Sequence, residues 1–249
     1  MKKLEGKVAV ITGGSTGIGQ AAARLFHAEG ARVFITGRSD KTLAEAKKQL
    51  PAEIVAIKSD ASRLVDIDAL AEALKSKAGR IDVLFINAGI AKFMPVEAIT
   101  PEIFDEMFNI NFRGAFFTVQ KLLPLLGKGS SVVLTTSIAA DLGIATTSVY
   151  GATKAALSSL ARTLSNELAS RGIRVNEVSP GPIETPIYEK MGMPTEQTAG
   201  FKDMMAGMVP VKRMGTADEV AKAALFLASD DSSYLLGSKI RIDGGMMLN

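Results

Sequence analysis

The sequence predicts an α/β fold, a doubly wound parallel sheet of about seven strands with helices on both faces. Three observations carry this. Short Val- and Ile-rich runs recur along all 249 residues, longer helix-patterned segments separate them, and the runs are apolar on both faces, as strands covered on both sides require. Composition shifts nowhere enough to mark a linker, so residues 1–249 are expected to form a single domain.

The first strand is VAVIT (8–12), which runs into a glycine-rich turn and a helix. RVFIT (32–36), IVAIK (54–58) and VLFIN (83–87) follow as strands two to four. Thr100 and Pro101 read as N-cap and first residue of a long helix to about Leu126. SVVLTT (131–136) is strand five, and a second long helix covers about 148–170. RVNEVS (174–179) is strand six. Thr216 with Glu219 forms a capping box opening a helix to about Ala228, and KIRI (239–242) ends the series. Ligands of such sheets bind beyond the carboxyl ends of the strands. Polar or glycine-rich groups stand at six of those ends: the glycine loop, Thr36 to Arg38, Asp60 with Ala61, Asn87 to Gly89, Ser137, and Pro180 with Gly181.

Composition excludes several classes of function. The chain lacks cysteine, which removes disulfides and thiolate chemistry, and its one histidine leaves no metal site to expect. A net charge of +3 comes from 29 basic residues dispersed among 26 acidic ones, so no nucleic-acid partner is expected. MKKLEG at the start turns charged before an apolar run develops, and no stretch is long enough to span a bilayer. A cytoplasmic protein without a membrane partner is the expectation.

ITGGSTGIG (11–19) fits two chemistries. Gly13 to Gly17 spells the G-x-S-x-G nucleophile elbow of serine hydrolases, whereas Thr12, Gly13, Gly17 and Gly19 spell a loop that presents backbone N–H groups to phosphates. A hydrolase needs a histidine base against its serine. The lone His27 lies twelve residues beyond Ser15 in the helix that the loop starts, where the chain cannot fold it back. The phosphate loop is the better reading, and His27 is a partly exposed helix residue.

Tyr150 and Lys154 are spaced to share one helix face, a weak signal alone. With Thr12 to Gly19, Asn87-Ala88-Gly89, Asn111, Ser137 and Pro180-Gly181 in the same order, the chain closely resembles the short-chain dehydrogenase/reductase family, from about Lys3 to Gly245. The resemblance implies a Rossmann-type domain that moves a hydride between a nicotinamide cofactor and a carbonyl or alcohol, with Asn111, Ser137, Tyr150 and Lys154 as catalytic residues. Tyr150 is then the proton donor, Ser137 holds the carbonyl oxygen, and Asn111 helps hold a water that links the lysine to solvent. Lowering a phenol from pKa ~10 toward neutrality takes roughly 4 kcal/mol, which Lys154 and the oxidised nicotinamide are expected to supply. Ser137 as a cap and Asn111 as a partner for buried backbone remain open readings. The cofactor contacts implied are Gly13, Ser15, Thr16, Gly17, Ile18, Gly19, Arg38, Ser39, Asp60, Ala61, Asn87, Ala88, Gly89, Tyr150, Lys154, Pro180, Gly181, Ile183 and Thr185.

Strand two ends without the carboxylate that holds the NAD ribose, and Arg38 with Ser39 suits a 2′-phosphate, so NADP(H) is expected over NAD(H). Arg38 as a solvated loop residue, and NAD as cofactor, are the alternatives. Six of the eleven methionines, Met191, Met193, Met204, Met205, Met208 and Met214, fall in a segment resembling the family's variable substrate loop, about 183–214. They are read as lining an apolar substrate pocket, or else as core. A homotetramer through the two long helices and the last strand is implied by the family, with Ala155, Ala156, Ser159 and Thr163 small enough for close approach or for packing within the subunit. The rival of another class is a catalytically idle dinucleotide sensor, which has no use for Ser137, Tyr150 and Lys154 together.

Overall fold

The structure, a computed structural model, describes residues 2–187 and 195–248, with side chains outside 195–199. Seven parallel strands form the sheet, in the order β3-β2-β1-β4-β5-β6-β9. They are β1 (Val8–Ile11), β2 (Arg32–Gly37), β3 (Val55–Lys58), β4 (Ile81–Ile86), β5 (Leu126–Thr135), β6 (Arg174–Pro180) and β9 (Lys239–Ile242). Residues of β1, β4, β5 and β6 are fully or nearly fully buried along most of their length, which is why they read as continuous apolar runs. The winding direction reverses between β1 and β4, and a crevice opens at their carboxyl ends.

Helices cover both faces. On one lie α1 (Gly17–Ala28), α2 (Asp40–Gln49) and α8 (Ala217–Ala228), packing Phe26, Ala46 and Val220 against Ile11, Ile35 and Phe85. On the other lie α3 (Leu64–Lys77), α5 (Gly114–Leu122) and α6 (Ser148–Ala169), packing Leu74, Val119 and Leu157 against Val10, Leu84 and Val132. The predicted capping box forms: Thr216 Oγ1 accepts from the Glu219 N–H while Glu219 accepts from the Thr216 N–H. Among the described residues no helix is long and apolar enough to cross a membrane.

Three boundaries differ from the sequence reading. The helix expected over 101–126 is broken into α4 (Pro101–Phe108), one π-helical turn (Asn109–Arg113), α5, and a 3₁₀ turn (Leu123–Leu125) around Pro124, which has no N–H to extend the helix. Strand five starts at Leu126 rather than 131: Ile81 pairs with Leu126 and Val83 with Ser131, so the register slips between them. A two-stranded ribbon, β7 (Ile183–Glu184) with β8 (Gly215–Thr216), had no signal of its own, and it closes the ends of the segment that carries α7 (Thr195–Met208).

Candidate active site

The floor of the crevice is stitched across three strands. The Thr12 hydroxyl, at the end of β1, accepts from the N–H groups of Asn87 and Ala88 at 2.9 and 3.0 Å. Asn87 in turn donates to the Thr12 and Gly13 carbonyls and accepts from the Thr135 hydroxyl at the end of β5. Sequence reading quoted Thr12 only as part of a motif, because this double acceptor exists only once β1 and β4 are neighbours.

Above this floor the glycine loop leads into α1. Gly13 and Gly17 have φ of +64° and +55°, and a Cβ on Gly19 would lie 2.3 Å from the Gly13 carbonyl oxygen. The loop therefore needs glycine to bring bare backbone to the helix N-terminus, a cradle suited to a pyrophosphate. Ser15 Oγ lies 3.3 Å from Thr42 Oγ1, and His27 lies partly exposed on α1, 3.8 Å from Glu53, so no histidine faces the serine. The hydrolase reading has no base.

At the second strand end, Ser39 caps α2 by accepting from the Thr42 N–H. Arg38 projects beside it, half-exposed, into the same cavity. Asp60 is bound by Ser62 through its Oδ1, and Ala61 follows it. A Cβ on Gly114 would lie 2.1 Å from the Ala61 carbonyl oxygen, so α5 meets this loop backbone to backbone.

The chemical groups converge at the other end. Tyr150 and Lys154 share the buried face of α6, with the Lys154 ammonium 5.8 Å from the Tyr150 ring centre and donating to the Thr135 carbonyl at 2.9 Å. Ser137 stands near enough to Tyr150 to favour its ionised form. It also accepts from the Ala139 N–H at 3.2 Å, so it caps the turn after β5 as well. Asn111 is fully buried on the π-helical turn; its amide donates to the Ile90 carbonyl and the Thr153 hydroxyl and accepts from the Ile90 N–H at 2.8 Å. The backbone it satisfies at Ile90 is part-buried. A Cβ on Gly89 would stand 3.2 Å from Asn111 Oδ1 and 3.4 Å from Lys154 Nζ, so glycine is what lets these two side chains flank the same strand end.

Burial raises the Tyr150 hydroxyl above its ordinary value, with the nearby Ser137 hydroxyl opposing. Burial pulls the Lys154 ammonium down to about 8. Burial thus works against the lowering expected of this phenol, and taking the phenolate out of water outweighs what Ser137 returns.

One cavity of about 1070 Å³ joins all of this. Of the predicted cofactor contacts, Gly13, Ser15 to Ile18, Arg38, Ser39, Asp60, Ala61, Asn87 to Gly89, Tyr150, Lys154, Pro180, Gly181, Ile183 and Thr185 line it; Gly19 does not, being packed beneath the loop. Asn111 also stands behind the wall. Beyond Tyr150 the lining is mostly apolar, with Phe93, Leu142 and Ile144 beside Thr146 and Thr147, and Met204, Met205 and Met208 contributed by α7. Phe93 and the tail residue Met246, both missed from sequence, belong to this wall, and Phe93 lies 5.5 Å from the Tyr150 ring. Met214 is core, while Met191 and Met193 lie outside the described residues.

The family model described as enoyl-(acyl carrier protein) reductase matches residues 13–247. With the glycine cradle and the Ser137, Tyr150 and Lys154 cluster in place, that match decides the family. The chain belongs to the short-chain dehydrogenases/reductases. It is 44% identical to an oxidoreductase of Sarocladium schorii, over 99% of this chain and 98% of that one. It is 38% identical to the 3-oxoacyl-[acyl-carrier-protein] reductase of Thermotoga maritima, over 99% and 100%. Among solved structures, levodione reductase superposes with a TM-score of 0.92 at 33% identity, covering 98% of this chain and 99% of that one. As an oxidoreductase of this family the chain uses a nicotinamide cofactor, and its glycine cradle fits one.

Proposed function

We propose that the protein is an NADP(H)-dependent carbonyl reductase, reversible as an alcohol dehydrogenase, cytoplasmic and homotetrameric, acting on an uncharged apolar ketone or aldehyde. The observation that carries the reading is the Ser137, Tyr150 and Lys154 cluster in the same cavity as Arg38, with a mostly apolar wall beyond Tyr150. Gly13 to Ile18 would hold the pyrophosphate, Asp60 and Ala61 the adenine, Arg38 and Ser39 the 2′-phosphate, and Ile183 and Thr185 the nicotinamide side. The nicotinamide, when bound, supplies the hydride.

The chain's own part is proton and charge control. Ser137 donates a hydrogen bond to the substrate oxygen, Tyr150 gives it the proton as negative charge builds, and the Lys154 ammonium stabilises the phenolate left behind. The apolar wall excludes water and sets which ketones fit, and the methionines give it an adaptable surface. The reading is tested with a panel of ketones, aldehydes and 3-oxoacyl thioesters, comparing kcat/KM for NADPH and NADH. The parent should prefer NADPH by about ten- to a hundredfold, and Arg38→Ala should lose that preference while keeping its NADH efficiency. A parent that prefers NADH, or no turnover on any substrate, overturns it.

A further inference from the structure

Beside the cavity the structure sets a carboxylate against Arg38. Glu106, on α4, stands one helical turn before Ile110, whose side chain lines the cavity. Its Oε1 lies 4.0 Å from the Arg38 guanidinium. Its Oε2 is bound by the ammonium of Lys92, which sits on the loop after β4 between the cavity-lining residues Ala91 and Phe93. The end of β2, the loop after β4 and α4 are thus tied by one shared anion. Of the other carboxylates near this strand end, Asp40 is paired with Lys58 and Asp60 accepts from Ser62. Among the described residues Glu106 alone is ion-paired to Arg38.

We infer that Glu106 is a specificity-determining residue that weakens the preference for a 2′-phosphorylated cofactor, and that Lys92 limits how far it does so; the inference rests on the reading that Arg38 meets the 2′-phosphate. A phosphate dianion drawn to Arg38 comes within a few ångströms of a fixed negative charge, and it must share the guanidinium's donors with that carboxylate. A ribose 2′-hydroxyl carries no charge and is not repelled by the carboxylate. Lys92 neutralises part of the carboxylate, so removing Lys92 exposes the phosphate to the full repulsion, and removing the Glu106 charge frees Arg38. All three side chains are partly exposed, so water and salt screen the effect to a few-fold.

The test is calorimetric binding of adenosine 2′,5′-bisphosphate and of 5′-AMP to the protein without cofactor, at low ionic strength. Glu106→Gln should tighten the bisphosphate by about two- to fivefold and leave AMP unchanged, while Lys92→Met should weaken the bisphosphate alone by a similar factor. Both differences should collapse at high salt. If the ratio of the two ligands is the same in both variants as in the parent, or if AMP moves with the bisphosphate, the inference falls. A parent that binds the bisphosphate no more tightly than AMP overturns the NADP reading instead, and a ratio that still rises in Glu106→Gln then leaves the role of Glu106 standing.

Discussion

Lys154 is a cation held almost wholly out of water, with the Thr135 carbonyl as its hydrogen-bond acceptor. Its ammonium titrates near pH 8 in the fold against 10.5 ordinarily. Between those values the unfolded chain binds more protons than the native one, so this residue's contribution to stability rises with pH across that window and is lost as pH falls through about 8. Urea unfolding of the parent and of Lys154→Met should therefore diverge from pH about 8 to 10.5, the parent gaining relative to the variant. Parallel curves would show that the burial is not felt. At Tyr150 the hydroxyl alone carries the proposed proton transfer, while the ring packs against Phe93. Tyr150→Phe should keep cofactor affinity, read by fluorescence titration, and lose kcat by ~10²–10⁴. A variant with most of its turnover intact would exclude the phenol as donor.

The elements that sequence made legible are those whose cause is local. Runs such as VAVI in β1 announce themselves because both faces are buried, and the cap at Thr100 works through neighbours three residues away. The π-helical turn at Asn109–Arg113 has no such local cause. Its buried Asn111 is satisfied by Ile90 and Thr153, which are distant in sequence, so an unbroken helix was the reasonable reading of 101–126. The same distance explains why Asn111 could be named as a site residue while its partners could not. Asn111→Ala should leave the part-buried Ile90 N–H and carbonyl without their side-chain partner and cost about 1–2 kcal/mol in urea unfolding. A loss under ~0.5 kcal/mol would mean that the turn relaxes around the missing amide.

For the whole molecule, the parallel winding made the site legible: it gathers six strand ends at one edge, so residues far apart in sequence could be assigned to one crevice. The apolar wall beyond Tyr150 was legible only in the methionines of α7, since Phe93, Leu142 and Met246 have ordinary sequence surroundings. Assembly belongs to this scale too. Ala155, Ser159 and Thr163 form an exposed stripe along α6 rather than packing inside the subunit, and exposed Phe104 stacks on Phe108 along α4. Light scattering should find a tetramer at micromolar concentration, and an active monomer there would contradict the proposed assembly.

The stitched floor and the methionine wall also differ in what they can tolerate. Thr12, Asn87 and Thr135 hold β1, β4 and β5 together through one continuous set of hydrogen bonds, so a change in any of them disturbs the other two. The wall of α7 meets the cavity through flexible thioethers, each replaceable singly. Over descent the two halves of the crevice are therefore free to change at different rates: a lineage can shift to a new substrate by exchanging wall residues one at a time, while the floor of the crevice stays as it is.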